Sequence, residues 1–436
     1  MPPGVRRSRY FGGYVSEEGA NGLKAYKYAG SDKSLMLKYI TNPLYNRFVL
    51  LFPMWLAPNL ITLSGLLCTF ITYWIFHYYC PFLEGHAPWW AYMLNGFAIL
   101  AYQALDAMDG KQARRTGSAT ALGVLFDHGC DALNATVMSV TMCAVVQYGP
   151  GVTSFVFWFV AVLVFYSATV EEYYTGELRL AIVNGPNEGL AIAAGVNFIT
   201  AAIGASFWTQ ESPFFGLTWN WILFIVTCCC AFFTIVQNFF HVLLAVRQNK
   251  AKVEGGYGKF RYRVALTRLL PFLCVVFLSL AWVLLSPTNI MLRHPRIVLW
   301  ALGFLFSKLV TQLMLAHVCD EEYHPVGKTI SIIAFLGAHM LFNLAHQVEI
   351  PALKYLIGTS ILKPFNMSVF ADRGMNILVP TPSSVESSVL VPHEDVILYE
   401  FFIIAMISYV HFIVGVTREI TEILGIRCFV IKPRRE

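Results

Sequence analysis

The chain has 436 residues, 57% of them hydrophobic and only 13% charged, and a mean hydropathy of +0.58. Soluble domains carry charge on roughly a quarter of their residues, so this composition excludes an ordinary water-soluble domain and points to a polytopic membrane protein. The formal net charge of +5 is dispersed between apolar runs and forms no single basic patch, which argues against a nucleic-acid partner and leaves Lys and Arg as topology signals.

In chain order, Met1 to Lys38 is polar and basic with no early apolar core, so no cleaved signal peptide is expected and the first spanning helix would direct insertion. Residues 35–52, LMLKYITNPLYNRFVLLF, mix Lys38 and Arg47 with apolar and aromatic side chains, the pattern of a helix lying in the membrane interface. Residues 1–55 are therefore read as a cytosolic N-terminus ending in that helix. A spanning helix needs about 20 mostly apolar residues, and about ten such runs follow. They cover approximately 56–79, 88–108, 119–147, 151–171, 187–207, 218–246, 265–286, 297–318, 328–348 and 397–416. The predicted fold class is all-α, a polytopic membrane protein with about ten transmembrane helices.

Basic residues cluster in 1–47, 111–115, 247–268 and 427–435 and are nearly absent from 80–87, 148–150 and 208–217. The positive-inside rule then places both termini and the loop after the second span in the cytosol, which an even number of spans satisfies. The long Pro- and Ser-rich loop near 349–396 would face the lumen. No internal repeat stands out, so 56–416 reads as a single membrane domain followed by a basic cytosolic tail, 417–436. Cys68, Cys143, Cys228, Cys229, Cys230 and Cys274 lie inside apolar runs and no CxxC pair occurs, so the ten cysteines read as ordinary thiols without a disulfide framework or a zinc site.

The chemistry concentrates where the second predicted span ends and the third begins, in LDAMDGKQARRTGSATALGVLFDHGCDALNA. Asp106 and Asp109 are three apart and share one helix face; Asp127 and Asp131 are four apart and share another. Two facing helices can thus bring four carboxylates together, and ionised acids so crowded away from water need a compensating cation. Hard oxygen donors suit Mg²⁺ or Mn²⁺, and a pair of such ions stabilises both the attacking and the leaving oxygen in phosphoryl transfer. Gly110, Ala113 and Gly123 remove bulk beside the acids and would let a nucleotide approach the backbone, and Arg114 offers a bidentate grip on phosphate. Small residues at such spacing also serve helix packing, and an Arg at a helix end also meets lipid head groups; both readings stay open here.

Asp106, Asp109, Gly110, Ala113, Arg114, Gly123, Asp127 and Asp131 fit every fixed position of the signature D-x2-D-G-x2-A-R-x8-G-x3-D-x3-D, and the chain thereby resembles the CDP-alcohol phosphotransferases. DGKQARRTG and LFDHGCDALNA look most like the eukaryotic choline and ethanolamine phosphotransferases, and LAPNLIT at 56–62, NGPNEGL at 184–190 and KLVTQLMLAH at 308–317 are looser matches. The resemblance implies an enzyme that moves phosphocholine or phosphoethanolamine from CDP-choline or CDP-ethanolamine to diacylglycerol. It further implies two divalent ions, a homodimer, and a site facing the cytosol from the endoplasmic reticulum or Golgi membrane.

The four aspartates would hold the metals, and Gly110, Ala113, Arg114 and Gly123 would meet the CDP-alcohol. One position departs from the family pattern. Many relatives carry Glu directly after the second Gly of the signature, an acid that is one candidate for the catalytic base, whereas this chain has Val124. That shifts the expected base to His128, with Asp131 as its rival. Two other readings remain: a synthase using CDP-diacylglycerol, which shares the signature, and a membrane transporter, for which clustering of the acids in one hairpin is unusual.

Overall fold

In the computed structural model the described residues are 13–180, 185–213, 216–248, 270–286, 288–323, 334–339 and 394–431. The N-terminal part comprises α1 (Glu17–Ala25), a three-residue strand β1 (Gly30–Asp32), a π turn over Leu37–Thr41 and α2 (Asn42–Phe48). Ser16 opens α1, its side chain accepting the Gly19 amide at 3.0 Å. The bundle follows as α3 (Pro58–Tyr79), α4 (Trp89–Thr116), α5 (Ala121–Val145) and α6 (Val152–Thr175). Strand β2 (Leu178–Leu180) then leads to α7 (Leu190–Ile203), α8 (Trp219–Arg247), α9 (Leu270–Leu285), α10 (Pro295–Cys319) and α11 (Glu394–Leu424).

Helices thus coincide with nine of the ten predicted apolar segments; the remaining one, 328–348, lies mostly outside the described residues, as does most of the 349–396 loop. Among the described residues, five helices are long and apolar enough to cross a membrane: α3, α6, α8, α10 and α11. The protein is therefore an α-helical membrane protein. Helices α4 and α5 are as long as these but carry the polar and acidic residues described below, and α7 and α9 are shorter.

Helix α10 is the axis of the bundle, packed by α5, α6 and α11, and 83% of its most apolar stretch is buried against 11% for the peripheral α8. Polar side chains hold the helices together from within. Arg296, at the start of α10, gives hydrogen bonds to the terminal carbonyls of α3, at 3.2 Å from Phe76 O and 2.8 Å from Cys80 O, and lies over the Tyr73 ring. Thr72 donates to Asn95 at 2.8 Å, and Asn95 donates to Asn197 at 2.8 Å, joining α3, α4 and α7. In an apolar medium such bonds replace the hydrophobic effect as helix adhesive.

Sequence patterning did not reveal the parallel ribbon in which Gly30, Ser31 and Asp32 pair with Leu178, Arg179 and Leu180. Asn187 donates to Asp32 at 2.7 Å and Ser34 to Glu188 at 2.5 Å, so the N-terminal segment is tied to the α6–α7 connection. Both strands, three residues each, are too short to be found by alternation.

Candidate active site

Helices α4 and α5 form a hairpin whose turn is written locally. Gly117 adopts φ 67° and closes α4, with the Ser118 amide reaching Ala113 O at 2.9 Å; only glycine adopts this left-handed geometry without strain. Thr120 then caps α5, its side chain accepting the Gly123 amide at 3.3 Å. The turn spans four residues, Gly117 to Thr120, so the last turns of α4 face the first turns of α5. The two predicted pairs of acids meet at that mouth.

Asp106, Asp109 and Asp127 each place a carboxylate oxygen within 4.8 Å of the other two. Asp106 Oδ1 and Asp127 Oδ1 are buried with no hydrogen-bond donor on them. Buried carboxylate oxygens without donors are costly, and three converging at this distance are a ready set of hard ligands. The residues therefore fit a divalent cation. Asp131 stands outside this group of three: its Oδ1 accepts a hydrogen bond from the Tyr102 hydroxyl. Asp109 likewise has a support, since the Thr62 hydroxyl donates to its Oδ2. Thr62 closes the LAPNLIT stretch at the start of α3, and Tyr102 lies one turn before Asp106 on α4.

The small residues at the mouth are not packing against neighbours. A Cβ on Gly110 would meet nothing nearer than Arg114 Nη1 at 3.6 Å, and one on Gly123 nothing nearer than Asn59 Oδ1 and Thr120 Oγ1 at 3.8 Å. Gly303 on α10 is different, because a Cβ there would run into Thr136 Cγ2 at 2.6 Å. Glycine at 303 serves helix packing, whereas at 110 and 123 a methyl would fit with ordinary contacts only, so packing does not require glycine there. Ala113 is half-buried and Arg114 exposed at the rim.

His128 is buried and held at both nitrogens: Nδ1 is 3.2 Å from Val124 O, and Nε2 is 3.0 Å from Glu172 Oε2 on α6. The sequence marks Glu172 only as one polar residue of an apolar run, and no spacing rule connects it to a residue 44 positions earlier. Tyr28, from the N-terminal segment, also borders the acids. Partial burial and the charges of Glu172, Asp127 and Asp106 push its hydroxyl up to about 12 while Arg114 pulls it down, so it stays a proton donor at neutral pH. The C-terminal end supplies a further wall: Asn59 donates to Cys428 O at 2.9 Å, and Phe429 meets Phe126 edge-on at 5.6 Å between centroids.

With this geometry in place, comparison with known proteins is decisive. The sequence profile of the family described as CDP-alcohol phosphatidyltransferase matches residues 55–233, which contain the whole hairpin. Choline/ethanolaminephosphotransferase 1 of Arabidopsis thaliana is 34% identical over 425 residues, covering 96% of this chain and 98% of that protein. The chain belongs to the CDP-alcohol phosphatidyltransferase family. Cholinephosphotransferase 1 of Xenopus laevis is 35% identical over 330 residues, covering 73% of this chain and 77% of its own length. Ethanolaminephosphotransferase 1 of Mus musculus is 31% identical over 322 residues, or 71% and 78% of the two chains. This CDP-alcohol phosphatidyltransferase is a membrane-embedded enzyme of that family, and its acid-bearing hairpin lies within the matched region.

Proposed function

We propose that the enzyme transfers phosphocholine, phosphoethanolamine or both from the CDP-alcohol to diacylglycerol, yielding phosphatidylcholine or phosphatidylethanolamine and CMP. The observation that carries this reading is the convergence of Asp106, Asp109 and Asp127 within 4.8 Å beside two glycines that helix packing does not require. Near full-length similarity to a choline/ethanolaminephosphotransferase supports the choice of donor and acceptor.

Asp106, Asp109 and Asp127, with Asp131 beside them, would hold Mg²⁺ or Mn²⁺, two ions in this reading. When bound, the ions would offset negative charge developing on the phosphoryl group and on CMP. Arg114 would grip the donor's phosphates at the rim, while Gly110, Ala113 and Gly123 leave room for the nucleotide. The diacylglycerol hydroxyl would reach the phosphorus from the bilayer, its proton passing to His128 or Asp131. Tyr102 and Thr62 hold Asp131 and Asp109 in place while this occurs.

The same reading sets the protein in the endoplasmic reticulum or Golgi membrane as a ten-span homodimer with the site facing the cytosol. Residues 35–52 support an interfacial segment ahead of the spans, for Leu35, Tyr39, Ile40, Leu44, Leu50 and Leu51 are all exposed in the segment that carries Lys38 and Arg47.

The test is CMP and lipid formation by purified protein in detergent with diacylglycerol, Mg²⁺ and either CDP-choline or CDP-ethanolamine. Turnover with at least one donor, lost on chelation, supports the reading. Failure with both, alongside turnover of CDP-diacylglycerol with inositol, would move the enzyme to the other substrate class sharing the signature.

A further inference from the structure

Glu172 sits near the end of α6, 1% exposed, against α5 and α10. Its Oε2 is 3.0 Å from His128 Nε2, and its Oε1 is 3.8 Å from His317 Nε2 on α10. The Tyr26 ring closes the group, edge-on to His317 with centroids 5.8 Å apart. The preceding residue, Glu171, turns about 100° away around the helix and pairs with His241 of α8 at 2.7 Å, so the two neighbouring acids serve different partners.

A buried carboxylate on an imidazole can be a simple staple between helices. Here the imidazole is the side chain between Asp127 and Asp131, and its Nε2 lies against the carboxylate. On α5 itself the residue one turn earlier is Val124, which contributes only its carbonyl. The sole carboxylate hydrogen bond to His128 among the described residues therefore crosses from another helix.

We propose that Glu172 is a positioning residue for phosphoryl transfer, holding from α6 the orientation and tautomer of His128 that a carboxylate at position 124 would otherwise hold from within α5. This rests on the reading of the hairpin as the transfer site with His128 as base. With Nε2–H donated to Glu172, the neutral ring carries its lone pair on Nδ1. In that tautomer Nδ1 has no proton to offer Val124 O, so the 3.2 Å approach is not a hydrogen bond, and the acceptor hydroxyl would take the place beside Nδ1 and pass its proton to it. The hydroxyl oxygen bonds to phosphorus as the bond from phosphorus to the bridging oxygen of CMP breaks, so CMP departs with that electron pair. His317 stands 3.8 Å from the opposite carboxylate oxygen, beyond hydrogen-bond distance, so the bond to His128 is what orients the Glu172 carboxylate.

The experiment compares kcat, KM for both substrates and Mn²⁺-induced thermal shift in wild type, Glu172→Gln, the double variant Glu172→Gln with Val124→Glu, His128→Ala and Glu171→Gln. Glu172→Gln is expected to lower kcat about 100-fold with both KM values and the Mn²⁺ shift within about threefold of wild type. Adding Val124→Glu, which returns a carboxylate one helical turn from His128, is expected to recover at least about tenfold. Glu171→Gln should leave kcat within about threefold.

If His128→Ala abolishes turnover while Glu172→Gln retains wild-type kcat, the positioning role is overturned and the base assignment stands. If His128→Ala itself retains wild-type kcat, the base assignment falls and the positioning role with it. Loss of kcat in Glu172→Gln without rescue by Val124→Glu, accompanied by a collapsed melting temperature, reduces Glu172 to a helix staple and also overturns the proposal.

Discussion

Two groups of acids lie at the same end of the bundle and differ in what neutralises them. Glu171 and Glu172 on α6 each face a histidine of another helix, at 2.7 Å and 3.0 Å. Asp106, Asp109 and Asp127 on α4 and α5 face one another, and two of them, Asp106 and Asp127, each leave an oxygen without a donor, as Glu172 does at its Oε1. An acid paired inside the protein is satisfied by the fold, whereas acids that only meet other acids need a charge from outside it. The contrast separates acids that meet only one another from acids that each already have a histidine beside them.

The largest expected effect comes from breaking the first group. Asp109→Asn should lower CMP release by at least about 100-fold. It should also abolish the rise in melting temperature that Mn²⁺ gives the wild type, where a ligand at about 100 times its Kd stabilises by about 2.7 kcal/mol. Turnover within threefold of wild type in this variant would sink the assignment of the cluster. Chelation followed by Mg²⁺ addition offers the same comparison without a mutation, with loss and then recovery of turnover as the expected sequence.

Next in size is Tyr102→Phe, which removes the donor on Asp131. A lost hydrogen bond to a charged group costs about 1.5–3 kcal/mol, so kcat is expected to fall roughly 10- to 100-fold at an almost unchanged KM. A change confined to KM would mean that Asp131 works in donor binding.

Glu171→Gln should sharpen the comparison from the other side. Its partner His241 lies away from the aspartates, so catalysis should hold while thermal melting in detergent reports a loss of about 1–3 kcal/mol. The smallest effect on folding belongs to Gly110→Ala. The new methyl would have room, so stability should change by less than about 0.5 kcal/mol. KM for the CDP-alcohol should rise several-fold if that space receives the nucleotide. Gly303→Ala is the control for a packed glycine: the clash with Thr136 should lower the melting temperature by the equivalent of about 1–3 kcal/mol.

Much of this was legible before any coordinates. Apolar runs of spanning length mark the helices from α3 to α8 because a helix in lipid must satisfy its own backbone and cover itself with apolar side chains, a rule that acts locally. The acid pairs were legible for the same reason: spacings of three and four place them on single helix faces whatever the rest of the chain does. The β1–β2 ribbon escaped notice because its pairing joins two three-residue segments separated by some 150 positions. Tyr28, Thr62 and Tyr102 escaped as site residues because each gains its meaning from a neighbour on another segment.

Sequence alone determined the membrane class, the two neighbouring helices that carry the acids, and the identity of those acids. These follow from backbone satisfaction and helix periodicity, which depend on residues within a few turns of each other. Only the tertiary structure decided which acid oxygens remain without donors, which glycines are tightly packed, and that the carboxylate on His128 comes from Glu172. Those outcomes depend on how α5, α6 and α10 pack together, and contacts between helices distant in sequence have no period to read.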